Sequence, residues 1–123
     1  MKLVPNMVSA LLVGIEKRQL NFAQVIEFIG QHYHFTPQKF VNGYVHNEAG
    51  ENDGSAKVFG FAKLHDLNQL DTLKLFAEHY RSVLATPQGT DHANIRNFQR
   101  FGWQAFLMEH NPLSAKVASK TTA

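Results

Sequence analysis

Apolar residues recur every three or four positions along the first third of the chain, which is the period of amphipathic helices. In the first stretch, with Pro5 near its first turn, they are Val4, Met7, Val8, Leu11, Leu12 and Ile15. The second stretch begins at Asn21, and Gln24 three positions later completes a capping box. Its buried stripe is predicted at Phe22, Val25, Ile26, Ile29 and Tyr33. Pro37 ends the pattern, so two helices joined by a short loop are expected.

Turn-forming residues interrupt this pattern between positions 36 and 55. They include Gly43, Gly50, Gly54, Asn42, Asn47, Asn52 and Asp53. Asparagines among glycines are more typical of turn chemistry than of a binding site. Phe40-Val41 and Tyr44-Val45 are predicted as short extended pieces, and residues 103–108 can pair with them as another. A loop of this length is unusual in a compact domain, so either the segment is functional or this assignment of it as a loop is wrong.

Residues 55 to 67 are apolar without a clear period, at Val58, Phe59, Phe61, Ala62, Leu64 and Leu67. These positions spread almost all round a helix and occupy both faces of a strand, so periodicity does not decide between the two. Ser55 as a cap favours a buried helix, whereas Gly60 weakens that helix by about 1 kcal/mol relative to Ala. We predict a helix, with a strand over residues 56–64 as the alternative.

A fourth helix is predicted over residues 68–84. Asn68 caps it, and Asp71 occupies the capping-box position. Its apolar face is predicted at Leu70, Leu73, Phe76, Ala77, Tyr80, Val83 and Leu84. Pro87 and Gly89 mark its end.

A fifth helix is predicted to be capped by Asp91 and closed by Gly102. The segment from Asn111 has no periodicity and is predicted to be disordered.

The expected fold is therefore mainly α: a single compact domain of about five helices over residues 1–110, followed by a tail over 111–123. The extended pieces can add a small two-stranded β ribbon. The alternative, if residues 56–64 are a strand, is an α+β fold.

Composition excludes several classes of function. The 123 residues are 44% hydrophobic and 18% charged, as in ordinary globular domains. The absence of cysteine excludes thiol chemistry, thiolate metal sites and disulfides. The net charge of +2 comes from Lys116 and Lys120 near the end, so the rest is neutral and no nucleic-acid partner is indicated. No apolar run approaches the roughly 18 residues of a membrane span, so no membrane partner is expected either.

The common cofactor and metal motifs are missing. The segment 50–57 lacks the spacing of a phosphate-binding P-loop, and no metalloprotease or EF-hand pattern occurs. His32 and His34 flank Tyr33 on opposite sides of a helix end, which is a poor spacing for a metal. We therefore predict no cofactor and no metal site.

The fifth helix carries a cationic stripe, because His92, Arg96 and Arg100 are four residues apart. Asn94 falls instead on the apolar side, beside Ile95, Phe98 and Phe101. A buried amide needs partners, so Asn94 is expected to be hydrogen-bonded to the core or to a bound group. The stripe fits an anion-binding face near a helix N-terminus. It also fits a solvated cationic face, which is the commoner arrangement.

The fourth helix places Glu78, His79 and Arg81 beside Tyr80. Surface charge pairs at helical spacing, such as Glu78 with Arg81, contribute about 0.3 kcal/mol each. An acid–base site of Glu78, His79 and His92 is a weaker hypothesis, because no spacing rule brings these residues together.

Three stretches carry a family resemblance. They are FVNGYVHNEAGENDGSAKVFGFAKL at 40–64, TLKLFAEHYRSVLATPQGTDHANIRNF at 72–98, and Gly102-Trp103. Together they resemble the HopJ family of type III effector proteins, over roughly residues 3 to 113. The resemblance implies no particular enzymatic activity. It places polar residues in three separate segments, which suits a common ligand pocket, or a buried network that holds the long loop down.

The leading hypothesis is a small cytosolic protein that binds a polar or anionic ligand or a protein partner. Its candidate site residues are Asn42, Asn47, Lys57, Tyr80, Arg81, His92, Asn94 and Arg96. The second hypothesis is a type III effector acting on a host target, and the third is a small hydrolase or transferase with a histidine general base. The helical pattern begins by Val4 and leaves almost no free export signal, so a cytoplasmic location is predicted, with secretion into a host cell as the alternative.

Overall fold

The computed structural model describes residues 5–116 of the chain. This part is an α+β fold in which helices predominate, in outline agreement with the predicted mainly α domain. The six helices are α1 (Pro5–Glu16), α2 (Phe22–His32), α3 (Asp53–Leu64), α4 (Gln69–Lys74), α5 (Glu78–Ala85) and α6 (Ala93–Phe101). The five strands are β1 (Tyr33–Phe35), β2 (Phe40–Asn42), β3 (Val45–Asn47), β4 (Phe106–Leu107) and β5 (Leu113–Ala115). A 3₁₀ turn at Gly102–Ala105 joins α6 to β4.

Helix α3 lies at the centre of the core, which explains why its sequence has no clear period. Its buried residues are Ala56, Val58, Phe59, Gly60, Phe61 and Ala62, and they point in almost every direction around the axis. The predicted helix is confirmed, and the alternative strand over residues 56–64 is wrong. The helix begins after Asn52, so Ser55 lies in its first turn and is not its cap.

The predicted fourth helix is broken into α4 and α5. Leu75, Phe76 and Ala77 are all buried, and three consecutive residues cannot share one face of a helix. The chain therefore turns at Ala77, where φ is +53°, and all three side chains reach the core. Two residues assigned to the buried face, Leu70 and Leu84, are about half exposed, at 51% and 52%.

The helix ends are only partly as expected. The Asn21–Gln24 capping box is present in full, and the side chain of Asn68 accepts the N–H of Asp71. Gly102 closes α6 with φ +64°, as predicted. The prediction that Asp91 caps α6 is wrong, because the helix starts one residue later and Asp91 is bonded to a side chain of α6 instead.

Two small antiparallel sheets complete the fold. One has the strand order β3-β2-β4, and the other pairs β1 with β5. Val41 pairs with Leu107 and Asn42 with Phe106, which confirms the predicted pairing of the two regions and adds a third strand to the expected ribbon. The tight β2–β3 turn needs glycine at position 43, where φ is +61° and a Cβ would lie 2.6 Å from Asn97 Oδ1.

The segment after residue 110 differs from the predicted disordered tail. Leu113–Ala115 form β5, and Asn111 Nδ2 donates to the carbonyl of Gly60 at 3.0 Å. Pro112 and Leu113 are buried, so this segment covers one side of α3. The sequence has no periodicity here because a three-residue strand is too short to show one. Residues 117–123, and Val4 at the other end, lie outside the described residues.

Candidate functional site

Three asparagines form a buried hydrogen-bonded cluster at the junction of β2, β3 and α6. Asn42, Asn47 and Asn94 are 0%, 2% and 6% exposed. Asn42 Nδ2 donates to the backbone oxygen and to Oδ1 of Asn94, at 2.8 and 3.0 Å. Asn47 Nδ2 donates to Asn94 Oδ1, and Asn94 Nδ2 donates back to Asn47 Oδ1. The predicted hydrogen bonding of Asn94 is confirmed.

The strand register explains how these side chains meet. Phe40 and Asn42 are two residues apart on β2 and therefore share one face of the sheet. Asn47 lies directly opposite Phe40 on β3, so its side chain is on that same buried face. Asn42 and Asn47 thus occupy strand positions facing α6, and they are not the turn residues that the sequence suggested.

A fourth asparagine links this cluster to α3. Asn52 Nδ2 donates to Asn47 Oδ1 at 2.7 Å, and Asn52 adopts a left-handed conformation with φ +53°. Turn chemistry was therefore the right interpretation for this one asparagine. Within the described chain, the buried oxygens Asn42 Oδ1 and Asp53 Oδ1 accept no hydrogen bond.

The N-termini of α3 and α6 open on one cleft beside this cluster. The cleft has a volume of about 280 Å³, and it is lined by Val45, Asn52, Ser55, His92, Ala93, Asn94 and Ile95. Asn52 and His92 precede the two helices with the same backbone angles, φ +53° and ψ +49°. Neither helix has a side-chain cap, so the N–H groups of both first turns are available to an acceptor. The macrodipoles of both helices add positive potential there.

The structure brings together two histidines, His79 and His92, that no spacing rule in the sequence places side by side. The rings of His79 on α5 and His92 are 5.0 Å apart, and the ring of Phe22 lies 4.8 Å from that of His79. Both imidazoles are half-buried. His92 Nε2 lies 3.9 Å from Asp91 Oδ2, whereas no hydrogen bond joins either imidazole to a carboxylate in residues 5–116.

Glu78 does not pair with a histidine as the hypothesis of an acid–base site requires. Its Oε1 accepts the backbone N–H of Phe22 at 2.8 Å, so it ties the start of α2 to α5. Burial alone raises the pKa of this carboxyl, but the hydrogen bond from Phe22, together with His79 and Arg81, brings the pKa below its usual value. Glu78 is therefore an ionised carboxylate with a structural role, because it accepts the N–H of Phe22.

Arg96 was expected to contact a ligand, but its guanidinium holds the loop that leads into α6. Nε and Nη1 donate to the backbone oxygens of Asp91 and Thr86, at 2.6 and 2.7 Å. Nη2 donates to Thr86 Oγ1 and to Asp91 Oδ1, at 3.0 and 2.8 Å. The hydrogen bond from Arg96 lowers the pKa of Asp91, so this carboxylate is ionised and paired with the guanidinium of Arg96.

The remaining candidates lie elsewhere. Lys57 Nζ is 4.8 Å above the ring of Phe35, so it makes a cation–π contact next to β1. Tyr80 and Arg81 line a separate groove between α1 and α5. The eight candidates therefore do not form one site: Asn42, Asn47, Asn94 and His92 come together, Arg96 supports them, and the other three are apart.

Two residues of the cleft were missed as site residues. Asn52 was grouped with the turn asparagines, and Ser55 was taken only as a helix cap. Asparagine tolerates the left-handed backbone observed at Asn52, but this tolerance indicates a turn there and not where a helix begins. The convergence of α3 with α6 depends on contacts between segments about 40 residues apart, which spacing does not reveal.

The described residues lack two features that other functions would need. Between residues 5 and 116, no group of three or more His, Cys, Asp or Glu side chains is arranged to hold a metal ion. No helix in the same range has the length and apolarity needed to cross a bilayer.

Comparisons with known proteins give a family and one solved relative. Residues 9–113 match the sequence profile of the family described as HopJ type III effector protein. No curated protein matches the chain. The chain is similar to the crystal structure of the unknown-function protein VPA0580, with 40% identity and a TM-score of 0.84. That match covers 94% of this chain and 97% of the other.

Proposed function

This chain belongs to the HopJ type III effector protein family, and on that premise we propose that it is a small binding protein for an anionic group. The ligand site is the cleft between the N-termini of α3 and α6. The observation that supports this most directly is the convergence of two uncapped helix N-termini on one cleft beside His92.

The chemistry of the cleft favours an anion over other ligands. A phosphate or carboxylate accepts hydrogen bonds from first-turn N–H groups, and helix dipoles favour its charge. The seven lining residues include no carboxylate. Asp53 is in the first turn of α3 but is not among the lining residues, and Asp91, two residues before α6, is hydrogen-bonded to Arg96.

The asparagine cluster acts as the support of this site. It joins β2, β3 and the starts of both helices through side-chain hydrogen bonds, so the two N-termini are fixed relative to each other. A preorganised set of donors binds an anion more tightly than a mobile one, because less conformational freedom is lost on binding.

Titration of the full chain with inorganic phosphate, followed by the backbone amide resonances in NMR, tests this proposal. We expect saturable shifts at residues 53–55 and 93–95. Ala93→Asp places a carboxylate in the first turn of α6, where it favours the helix and competes with the ligand. This variant should fold and lose phosphate binding. Ala10→Asp, on the exposed side of α1, makes the same charge change elsewhere and should bind normally.

The imidazole is tested separately by His92→Gly. Glycine adopts the left-handed backbone of this position without strain, so the start of α6 is retained. Phosphate binding should weaken several-fold. Shifts spread evenly over the surface, or undiminished binding by Ala93→Asp, would contradict the proposed site.

The description of the family favours a second candidate, a type III effector that acts on a host target. A reporter enzyme fused behind the complete chain tests it in a secretion-competent strain. Appearance of the reporter in host cells, and its absence with a secretion-deficient strain, supports export. A reporter retained in both strains favours a cytoplasmic location for the anion-binding protein.

A further inference from the structure

A second groove lies between α1 and α5 and shares none of its lining residues with the cleft of the proposed function. It has a volume of about 280 Å³. Ile15 and Ala77 in its wall are buried, Tyr80 is half-buried, and Leu84 is 52% exposed. These side chains give the groove an apolar surface of small-molecule size.

Three cations line the same groove, and only one of them is neutralised by a salt bridge. Glu16 also lines the groove, and its Oε2 lies 2.8 Å from Lys74 Nζ, which is 3.9 Å from Asp71 Oδ1. Arg18 and Arg81 form no salt bridge with any acid in residues 5–116. Glu78, the acid nearest to Arg81 in sequence, interacts with it electrostatically but forms no salt bridge with it, and its Oε1 accepts the N–H of Phe22.

The backbone of Arg18 is unusual. It follows α1 with φ +59°, a conformation for which glycine is the favoured residue after a helix. Its N–H donates to Ile15 O, and the next two N–H groups donate to Gly14 O, so the turn is fixed. The chain thus holds a guanidinium at this groove at a position where a side chain is conformationally unfavourable.

We propose that this groove binds a small amphipathic monocarboxylate. Arg18 and Arg81 bind the carboxylate, because a planar guanidinium matches two carboxylate oxygens. Tyr80, Leu84 and Ile15 contact a hydrocarbon body of a few carbons. The volume favours a free small molecule over a protein helix, which needs a groove several turns long.

The test is a titration of the full chain with octanoate, followed by NMR shifts of the Ile15 and Leu84 methyl groups. We expect saturation with a dissociation constant of about 1 mM or tighter. Acetate lacks the hydrocarbon body and 1-octanol lacks the charge, so each should bind at least about tenfold more weakly. Equal binding of either compound would overturn the proposal, as would the absence of saturable shifts with octanoate.

Matched variants separate loss of binding from loss of folding. Arg18→Gly removes the guanidinium and suits the left-handed backbone, so it should fold at least as well as the parent. Arg18→Gly and Arg81→Gln should each weaken octanoate binding about tenfold. Arg100→Gln removes a surface arginine that packs on Phe101, and it should bind as the parent does. Octanoate binding that survives Arg18→Gly and Arg81→Gln unchanged would refute the assignment.

The two ligand sites can be tested independently. Ala93→Asp should no longer bind phosphate but should bind octanoate as the parent does. Arg81→Gln should bind phosphate normally and octanoate more weakly. Failure of either proposal therefore leaves a distinct pattern in these two variants.

Discussion

The side-chain amides of Asn47 and Asn94 bind each other in both directions. Asn94 Nδ2 donates to Asn47 Oδ1 at 3.0 Å, and Asn47 Nδ2 donates to Asn94 Oδ1 at 3.2 Å. One partner is on β3 and the other is in the first turn of α6, so the pair joins the small sheet to the helix that supplies His92. Because both amides are almost fully buried, neither has water as an easy substitute partner.

Asn94→Ala should be among the most destabilising changes in α6. It leaves donors of Asn42 and Asn47 buried without their shared acceptor, which costs about 3 kcal/mol in the free energy of unfolding. For a domain of this size Tm should fall by about 10 °C. Gln99→Ala, an exposed amide on the same helix, should change the free energy of unfolding by less than about 0.5 kcal/mol. Equal effects of the two variants in denaturant unfolding would show that the cluster contributes little.

Arg96→Ala should loosen the loop at residues 86–91. The guanidinium gives two hydrogen bonds to backbone oxygens, worth about 1 kcal/mol each, whereas its pairing with the exposed carboxylate of Asp91 is screened by solvent. Hydrogen exchange of the amides in this loop should accelerate. Phosphate binding should also weaken, because the carboxylate of Asp91 is released beside His92.

A double variant distinguishes this indirect effect of Arg96 from direct ligand contact. Replacing Asp91 by Asn in the Arg96→Ala background removes the released charge and should restore most of the phosphate binding. If binding stays lost in the double variant, Arg96 contacts the ligand itself.

Two helical glycines should respond in opposite ways to alanine. At Gly60 in α3 a Cβ would lie 2.8 Å from Asn111 Oδ1 and 3.1 Å from the ring of Pro112, so Gly60→Ala should displace the segment that carries β5. At Gly30 in α2 no atom lies within 4 Å of the added Cβ, and Gly30→Ala should stabilise the protein by about 0.5 to 1 kcal/mol. Thermal unfolding of both variants measures the difference. Stabilisation by Gly60→Ala would mean that the segment from Asn111 adapts without loss.

The Tyr33–His65 contact should make stability depend on pH. Tyr33 Oη lies 2.7 Å from His65 Nε2. Burial lowers the pKa of His65 below 6.5, and the charge of Asp66 only partly opposes this. The unfolded chain therefore takes up a proton more readily, and the contribution of His65 to stability, complete above about pH 6.5, is lost as the pH falls through that value.

A variant that cannot titrate tests this pH dependence. Gln at position 65 can still hydrogen-bond to Tyr33, so His65→Gln should show a flatter decline in stability between about pH 7.5 and 5.5. His34→Gln changes an exposed histidine and should leave the slope unaltered. At lower pH, loss of the ionised forms of Glu78 and Asp91 should destabilise all the variants alike, because both carboxyls have lowered pKa values.

The local sequence predicted most of the helices, since their signals lie within one or two turns. The Asn21–Gln24 capping box, the Asn68 cap and the stop at Gly102 all depend on neighbours a few residues away. The broken helix was missed for a tertiary reason. Leu75, Phe76 and Ala77 are all buried, Phe76 packs against Phe22 of α2 and Phe59 of α3, and this burial stabilises a conformation at Ala77 that local preferences oppose.

For the candidate site, the sequence by itself determined that Asn94 needs hydrogen-bond partners, because an amide on an apolar helix face cannot be left unpaired. Only the tertiary structure decided which partners these are. Asn42 and Asn47 are about 50 residues away, and strand register turns them towards α6. Arg96 and Arg81 carry the same charge on similar helices, yet one holds a loop and the other lines a groove. That difference comes from which segments pack beside each helix, and such long-range contacts leave no periodic trace in the chain.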